Sequence, residues 1–425
     1  MSSASSEREP SRRELQLRQR AIRRRRARIR RHRLVALTWL VVIVLGLSTI
    51  AGVFKSPAPG RATSVAALSR IAGPSFVAPG HLSTFAWPSI GEASVGLQGA
   101  GVVSSSPKQK VVPIASMTKM MTAQIILHDH PLQLGEQGPM VRVTSADVDE
   151  YTFDSSHGNT NVPVKSGERL SEYQLLEALL MSSGDNIADI LARWDARTVP
   201  KFIVKMNAKV RSLNLSHTHY ADASGVSSGS QSTPAEQVIV ASKLMESAVA
   251  RKIVSQLSIS FPVAGKIPNY NPALGVDGII GVKSGFTSAA LGCLATAVMR
   301  TVQGKRVMLI AVSTGNIYGL YGAARVDEQL LKQLGTNLVA VKPSHAQQEL
   351  RIVLPGSKTP STLQSEGAPP TLVAWRGAKI RSHVLIVPHR GSSTGSVVTK
   401  LLYESPTGIL GVMKLTSSPA PGSAT

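Results

Sequence analysis

From Leu34 to Phe54 the chain runs 21 positions without a charged side chain. No other stretch restricts the fold as strongly, because a helix needs about 20 such residues to cross a bilayer. The run is apolar almost throughout, through Leu37, Trp39, Leu40, Val41, Val42, Ile43, Val44, Leu45 and Leu47. Thirteen arginines crowd its amino-terminal side between Arg8 and Arg33, opposed by Glu7, Glu9 and Glu14, and only Lys55 follows it closely. That bias sets the N-terminus in the cytoplasm and everything after residue 55 outside. A cleaved signal peptide has a shorter apolar region of about 7–15 residues and a small-x-small cleavage site. Thr49-Ile50-Ala51 is a poor version of that site. Residues 34–54 therefore read as an uncleaved transmembrane signal anchor, residues 1–33 as a basic, disordered cytoplasmic arm, and residues 55–83 as an extracellular linker rich in Pro, Gly, Ser and Ala.

The formal net charge is +22, but the arginine arm concentrates it. Membrane topology and contact with anionic lipid headgroups explain such an arm, so no nucleic-acid partner is expected. Cys293 is the single cysteine, which excludes an internal disulfide framework and reads as a buried structural thiol.

From residue 84 to 345 the pattern is that of a globular domain. Ala93 to Leu97 reads as a short strand. Ser116-Met117-Thr118-Lys119 then opens a helix-compatible run, Met120 to Leu127, which holds no Gly or Pro. A hydroxyl and an amine three positions apart share one helical face, and a serine near a helix N-terminus sits where negative charge is favoured. Ser166 to Ser183 contains the clearest helix, with Ser171 and Gln174 as a capping box and Leu175, Leu176, Leu179 and Leu180 as its buried face. It ends in a small polar knot, Ser182-Ser183-Gly184-Asp185-Asn186, before a second apolar helix from Ile187 to Trp194. Tyr220 to Ser232 is a Gly/Ser-rich loop, and Thr233-Pro234-Ala235-Glu236 has the marks of a helix start. Strand-like runs at Cys293–Arg300 and Arg306–Ser313 form a predicted hairpin. Lys283-Ser284-Gly285 stands at or before a strand, and with Val282 ahead of the lysine it is not a phosphate-binding loop.

In this order and spacing, Ser-x-x-Lys, the Ser-Gly-Asp-Asn knot and Lys-Ser-Gly resemble the three motifs of the serine penicillin-binding protein and β-lactamase superfamily. Three longer stretches are similar to the D-alanyl-D-alanine carboxypeptidase family within it: Pro113 to Ala123, Asp222-Ala223-Ser224-Gly225, and Gly281 to Thr287. The resemblance covers roughly Phe85 to Leu334. It implies an α+β, β-lactamase/transpeptidase-like domain, in which an antiparallel sheet is flanked by helices and joined by a helical subdomain. Three departures are visible. The family's middle motif usually reads Ser-x-Asn, whereas here either Asp185 or Asn186 takes the Asn place. Ser284 stands for a common Thr, and Leu291 stands where a glycine is frequent.

The resemblance implies acyl transfer on peptidoglycan stem peptides ending in D-Ala-D-Ala, with β-lactam antibiotics as covalent inhibitors and no metal or organic cofactor. Ser116 is the implied nucleophile and Lys119 the general base, its pKa lowered by desolvation and by nearby Lys283. Ser183 relays a proton to the departing amine, while Asp185 or Asn186 orients Lys119 or the substrate amide. Lys283 and Ser284 bind the terminal carboxylate, with Gly285 and Thr287 on the same substrate strand. The oxyanion hole uses the backbone N–H of Ser116 and one from the region of Thr287 to Ala290. The implied location is a bacterial cell membrane, with the catalytic domain outside. Competing readings are a β-lactamase-like hydrolase and a catalytically weak penicillin-binding or wall-binding protein. His217, His219 and Asp222, or His128, Asp129 and His130, could be taken for metal ligands, but no Glu-containing zinc motif accompanies them. Beyond residue 345, short apolar runs at Leu350–Leu354, Thr371–Trp375, Val384–Val387, Val397–Tyr403 and Ile409–Leu415 predict a small β-rich domain over 346–416, followed by a flexible tail over 417–425.

Overall fold

The computed structural model of the chain describes residues 69–343, 350–353, 360–365, 368–388 and 397–419. The arginine arm, the apolar run Leu34–Phe54, the first part of the linker and the last six residues lie outside them. Among the described residues no helix is long and apolar enough to cross a membrane.

The α+β expectation holds. A five-stranded antiparallel sheet is built in the spatial order Ile279–Thr287, Leu291–Val302, Lys305–Asn316, Glu92–Leu97, Gly101–Ser105. Its central hairpin is the one predicted, and its register runs from Val302 opposite Lys305 to Gly292 opposite Asn316. Gln303 and Gly304 at the turn both have positive φ, 45° and 78°, as a two-residue turn matched to strand twist requires. Alternate residues serve opposite faces. Cys293, Ala295 and Ala297 point into one apolar core, Leu294 and Val298 into another.

The first core is helical. It takes up Lys119–Asp129, Glu172–Leu180, Asp185–Ala196, Pro234–Leu244 and Ala248–Val254. The expected capping box is present: Gln174 N–H donates to Ser171 Oγ at 3.1 Å and Ser171 N–H to Gln174 Oε1 at 2.9 Å. All four leucines of that helix are buried. Thr233 Oγ1 caps its helix by accepting from the Glu236 amide at 3.3 Å, with Pro234 in the first turn. Against the other sheet face lies the helix Gly319–Thr336, which buries Ala323, Leu330, Leu331 and Leu334. It also buries Asp327, whose carboxyl accepts from Thr296 Oγ1 at 3.0 Å and is pushed up to about 8 by desolvation.

Two sequence expectations need correction, and one is the tail: expected to be flexible from 417, it is strand as far as Pro419, paired with Pro360–Ser365. Residues 55–83 read as linker, yet Ser69–Val77 is a strand, paired antiparallel with Lys379–Pro388 at the edge of a six-stranded sheet. Gly73-Pro74 suggested a linker. In the structure the pair falls at a register break between Ala72 and Ser75, and a strand lacking an N–H is tolerated at an edge or bulge. Ser382 Oγ fills the gap by donating to the Pro74 carbonyl at 2.7 Å. The other strands of this sheet are Val397–Glu404, Ile409–Pro419, Pro360–Ser365 and Leu350–Val353. Pro360–Ser365 had no apolar signal in the sequence. Ser405 Oγ and Thr407 Oγ1 donate to the Ala100 carbonyl at 2.9 and 2.7 Å, which ties this sheet to the turn after Leu97.

Candidate active site

Ser116 was expected at the start of an α-helix. It lies instead in a single 3-10 turn, Ala115–Thr118, that runs directly into the α-helix beginning at Lys119. The one-turn spacing survives, and Lys119 Nζ lies 2.9 Å from Ser116 Oγ. Lys119 is fully buried. Its other two hydrogens go to Asp185 Oδ1 at 2.5 Å and the Ser224 carbonyl at 2.7 Å, so an ammonium here has a partner for each of its three donors.

Asp185 and Asn186 are separated cleanly in role. Asp185 Oδ1 meets Lys119, and its Oδ2 accepts from the Thr160 N–H at 2.9 Å. Two donors thus face two oxygens, a demand that an aspartate meets and an asparagine, with one oxygen and one NH2, does not. Asn186 does not join the site as expected. Its carboxamide accepts from the Val162 N–H at 3.1 Å and donates to the Val162 carbonyl at 2.9 Å, which clamps the neighbouring segment.

Lys283 comes from the edge strand of the main sheet and is also buried. It donates to Ser183 Oγ at 3.0 Å and to the Ser284 carbonyl at 2.8 Å. Burial, reinforced by the positive charge of Lys119, holds its amine well below the ordinary lysine range, although Asp185 pulls the other way. Ser284, expected to meet a carboxylate, donates its hydroxyl to the Tyr270 carbonyl at 2.9 Å. Thr287 Oγ1 accepts from the Ala290 N–H at 3.0 Å, which shapes the turn after the strand and uses one amide of the expected oxyanion region. Gly285 has a steric reason. A Cβ there would stand 2.9 Å from the Ser116 nitrogen and 3.1 Å from the Met117 nitrogen, so only glycine lets the strand run this close to the nucleophile's turn.

Two residues here hold left-handed backbone without being glycine: Ala115, φ 46°, just before the nucleophile, and Ser183, φ 63°. Such conformations persist only where surrounding structure enforces them, and they gather at functional sites. Gly225 is part of that enforcement, since a side chain there would overlap the Ala115 carbonyl. Leu291 also has a positive φ of 58°, which accounts for glycine being the easier residue at that place.

Sequence reasoning missed the parts played by Ser224 and Thr160, because both act through the backbone. Asp222 did carry a signal, standing in Asp222-Ala223-Ser224-Gly225. Its carboxylate gathers the loop by accepting from the amides of Gly225 and Ser227 at 3.0 and 2.9 Å, and that loop presents the Ser224 carbonyl to Lys119. The histidine clusters are dispersed among separate partners: His217 meets Glu236, and His130 stacks on Trp194 beside Asp195. Among the described residues, no three His, Cys, Asp or Glu side chains are placed to hold one metal ion.

Two hydroxyl–amine pairs, Ser116–Lys119 and Ser183–Lys283, thus lie about one carboxylate, that of Asp185, whose charge reaches both lysines, against an edge strand thinned by a glycine. Known proteins resemble this chain over the region that holds these residues. The family model described as D-alanyl-D-alanine carboxypeptidase matches residues 95–316. A D-alanyl-D-alanine endopeptidase of Haemophilus influenzae is 30% identical over 165 residues, which is 39% of this chain and 53% of that protein. The match therefore spans about half the length of that relative. One of the same name from Pseudomonas aeruginosa is 30% identical over 270 residues, covering 60% of this chain and 80% of the other. Among solved structures, penicillin binding protein 5 from Haemophilus influenzae superposes with a TM-score of 0.59 at 19% identity, over 79% of this chain and 98% of that one, which speaks for the fold. With the model match spanning Val95 to Asn316, and so taking in Ser116, Lys119, Ser183 and Lys283, the chain belongs to the D-alanyl-D-alanine carboxypeptidase family of serine penicillin-binding proteins.

Proposed function

We propose that the chain is a membrane-anchored serine D-Ala-D-Ala carboxypeptidase that removes the terminal D-alanine from peptidoglycan stem peptides. The observation that carries this reading is the 2.9 Å contact between Ser116 Oγ and Lys119 Nζ, with Ser183 and Lys283 as a second pair at 3.0 Å. Lys119 takes the Ser116 proton while Oγ adds to the carbonyl between the two D-alanines. The backbone N–H of Ser116, beside Gly285, faces the oxygen that becomes negative. The C–N bond then breaks, and the proton that Lys119 took from Ser116 is passed by way of Ser183 to the departing D-alanine amine, which restores Lys119. Water hydrolyses the ester and regenerates Ser116. An incoming carboxylate favours the ammonium form of Lys283, whose third donor, beyond those to Ser183 and the Ser284 carbonyl, suits the terminal carboxylate of the substrate.

The apolar run Leu34–Phe54 anchors the chain in a bacterial membrane, with the arginine arm cytoplasmic and the catalytic region outside. β-Lactams, which acylate the same serine, are its inhibitors. In the test, full-length chain and Ser116→Ala are compared for covalent labelling by fluorescent penicillin and for D-alanine release from a pentapeptide. Both activities are expected to vanish in the variant, and either one persisting refutes the assignment. Penicillin labelling without D-alanine release from wild type selects the weak, wall-binding reading. That reading is favoured by Asp185, whose two oxygens leave no donor for a substrate amide. Cleavage of a cross-linked dimer faster than the pentapeptide selects endopeptidase action.

A further inference from the structure

We infer, resting on the membrane anchor proposed above, that the cleft beside the 302–305 hairpin turn is a docking surface for anionic phospholipid headgroups. One cleft of about 600 Å³ brings Arg251, Lys252 and Arg306 together in its walls. A smaller one of about 270 Å³ continues it, sharing Gln98, Arg306 and Met308 and adding Lys305. Among the described residues no acidic side chain lines either cleft.

Sequence order scatters these cations and the fold gathers them. Arg251 and Lys252 lie in the last turn of the short helix Ala248–Val254, and Lys305 and Arg306 open the strand Lys305–Asn316. Arg251 Nη1 donates to the carbonyls of Met245 and Glu246 at 2.5 and 2.9 Å, which holds that guanidinium in place. Two neighbouring acids are engaged elsewhere. Glu246 pairs with Lys243 at 2.8 Å, and Glu177, whose carboxyl feels the charge of Lys252, accepts from Gln256 Nε2 at 2.9 Å. Like charges gathered in one concave surface with no carboxylate in its walls raise the local potential and draw an anion to it.

Position selects a bilayer over a soluble anion. Val373 and Ile409, from strands that follow the catalytic region, line the smaller cleft, and Ile409 is 44% exposed. Cations beside an exposed apolar side chain match the boundary where phosphates overlie acyl chains. The apolar run ends at Phe54, and the first described strand starts at Ser69, in the same six-stranded sheet as Ile409. The chain from 54 to 69 reaches at most about 50 Å, so an anchored Phe54 keeps that sheet near the bilayer. Ile280 also lines the larger cleft, and Gly285, beside the Ser116 nitrogen, lies on the same strand about 17 Å further along. Docking at one end of this strand leaves its catalytic end pointing away from the lipid.

The experiment attaches a fluorophore to Thr301→Cys in the full-length protein, inserted in lipid nanodiscs. Thr301 is exposed and pairs with Arg306 across the hairpin, while Cys293 is buried and does not compete for the label. Quenching by a headgroup-labelled lipid is compared in phosphatidylcholine discs with and without phosphatidylglycerol. A basic residue at an anionic surface favours the docked state by about fivefold, so quenching is expected to rise at least about threefold with phosphatidylglycerol. It is expected to fall back to the phosphatidylcholine level at about 1 M salt. Arg251→Gln/Lys252→Gln/Arg306→Gln is expected to lose the rise while keeping penicillin labelling within about twofold of wild type. Equal quenching in both discs, or an undiminished rise in the triple variant, overturns the docking surface and leaves the anchor standing. Binding of soluble polyphosphate to the wild type, with no lipid-dependent quenching, assigns the cleft to a soluble polyanion and overturns it too. A chain that inserts into neither disc overturns the anchor and the docking surface with it.

Discussion

Gly285→Ala isolates the close approach between the edge strand and the nucleophile's turn. A Cβ at this position lies 2.9 Å from the Ser116 nitrogen and 3.1 Å from both the Ile114 oxygen and the Met117 nitrogen. Each contact is about 0.5 Å inside the roughly 3.5 Å at which such atoms attract. All three atoms are backbone and belong to one short turn, so no rotamer change relieves them. Strand and turn must part by about half an ångström, taking Ser116 away from the groups on the strand. Misplacement by about 1 Å costs on the order of 100-fold in rate, so about a tenfold loss is expected here. Overpacking of this kind also lowers stability by about 1–3 kcal/mol. The assay is the second-order rate of covalent labelling by fluorescent penicillin, with thermal unfolding followed in parallel. Gly335→Ala is the control, because its Cβ would meet only Leu309 Cδ1, at 3.8 Å. Labelling of Gly285→Ala within about threefold of wild type, or reduced only in proportion to the unfolded fraction, refutes the reasoning.

Asp185→Asn is expected to cost about 1–3 kcal/mol in thermal or urea unfolding, because one of the two donors now facing oxygen would meet an NH2 group instead. Asp185→Ala, which removes the counter-charge as the asparagine does and also strips buried Lys119 and the Thr160 N–H of any acceptor there, is expected to cost more, about 3–5 kcal/mol, and equal stability of the two variants would contradict this account. Asp327→Asn tests the buried carboxyl against the sheet. A folded-state value of about 8 means that the folded protein binds more protons than the unfolded chain above the ordinary carboxyl range, so stability falls as pH rises from about 4 to 8. The asparagine variant is expected to flatten that slope and to be the more stable protein at pH 8, by about 1–3 kcal/mol; a pH profile parallel to wild type would refute it.

Much of the site was legible because its chemistry sits in local patterns. Ser116 and Lys119 announce themselves by spacing, the Ser171–Gln174 box and Thr233-Pro234 by capping chemistry, and the 291–316 hairpin by two strand-like runs around a Gly-containing turn. Tertiary placement was harder. Nothing in Asp185-Asn186 tells which side chain turns inward; a loop amide, Thr160, decides it by supplying a second donor to Asp185. Ser224 acts through its carbonyl, to which the identity of its side chain gives no clue. The strand Ser69–Val77 escaped notice for the same kind of reason: its sequence holds Gly73-Pro74, and its partner is far away along the chain.

That last pairing has a consequence for how the chain is made. Ser382, which closes the break at Pro74, lies 308 residues further on. At synthesis rates of about 5–20 residues per second, the amino-terminal strand waits roughly 15–60 s before its partner exists. Over that interval Phe76, later packed against the core, has no sheet to lie on. A transcript ending before Lys379 would never supply one. The strand Lys379–Pro388 therefore sets when Ser69–Val77 can pair: until it has been made, the earlier strand has no sheet edge to join.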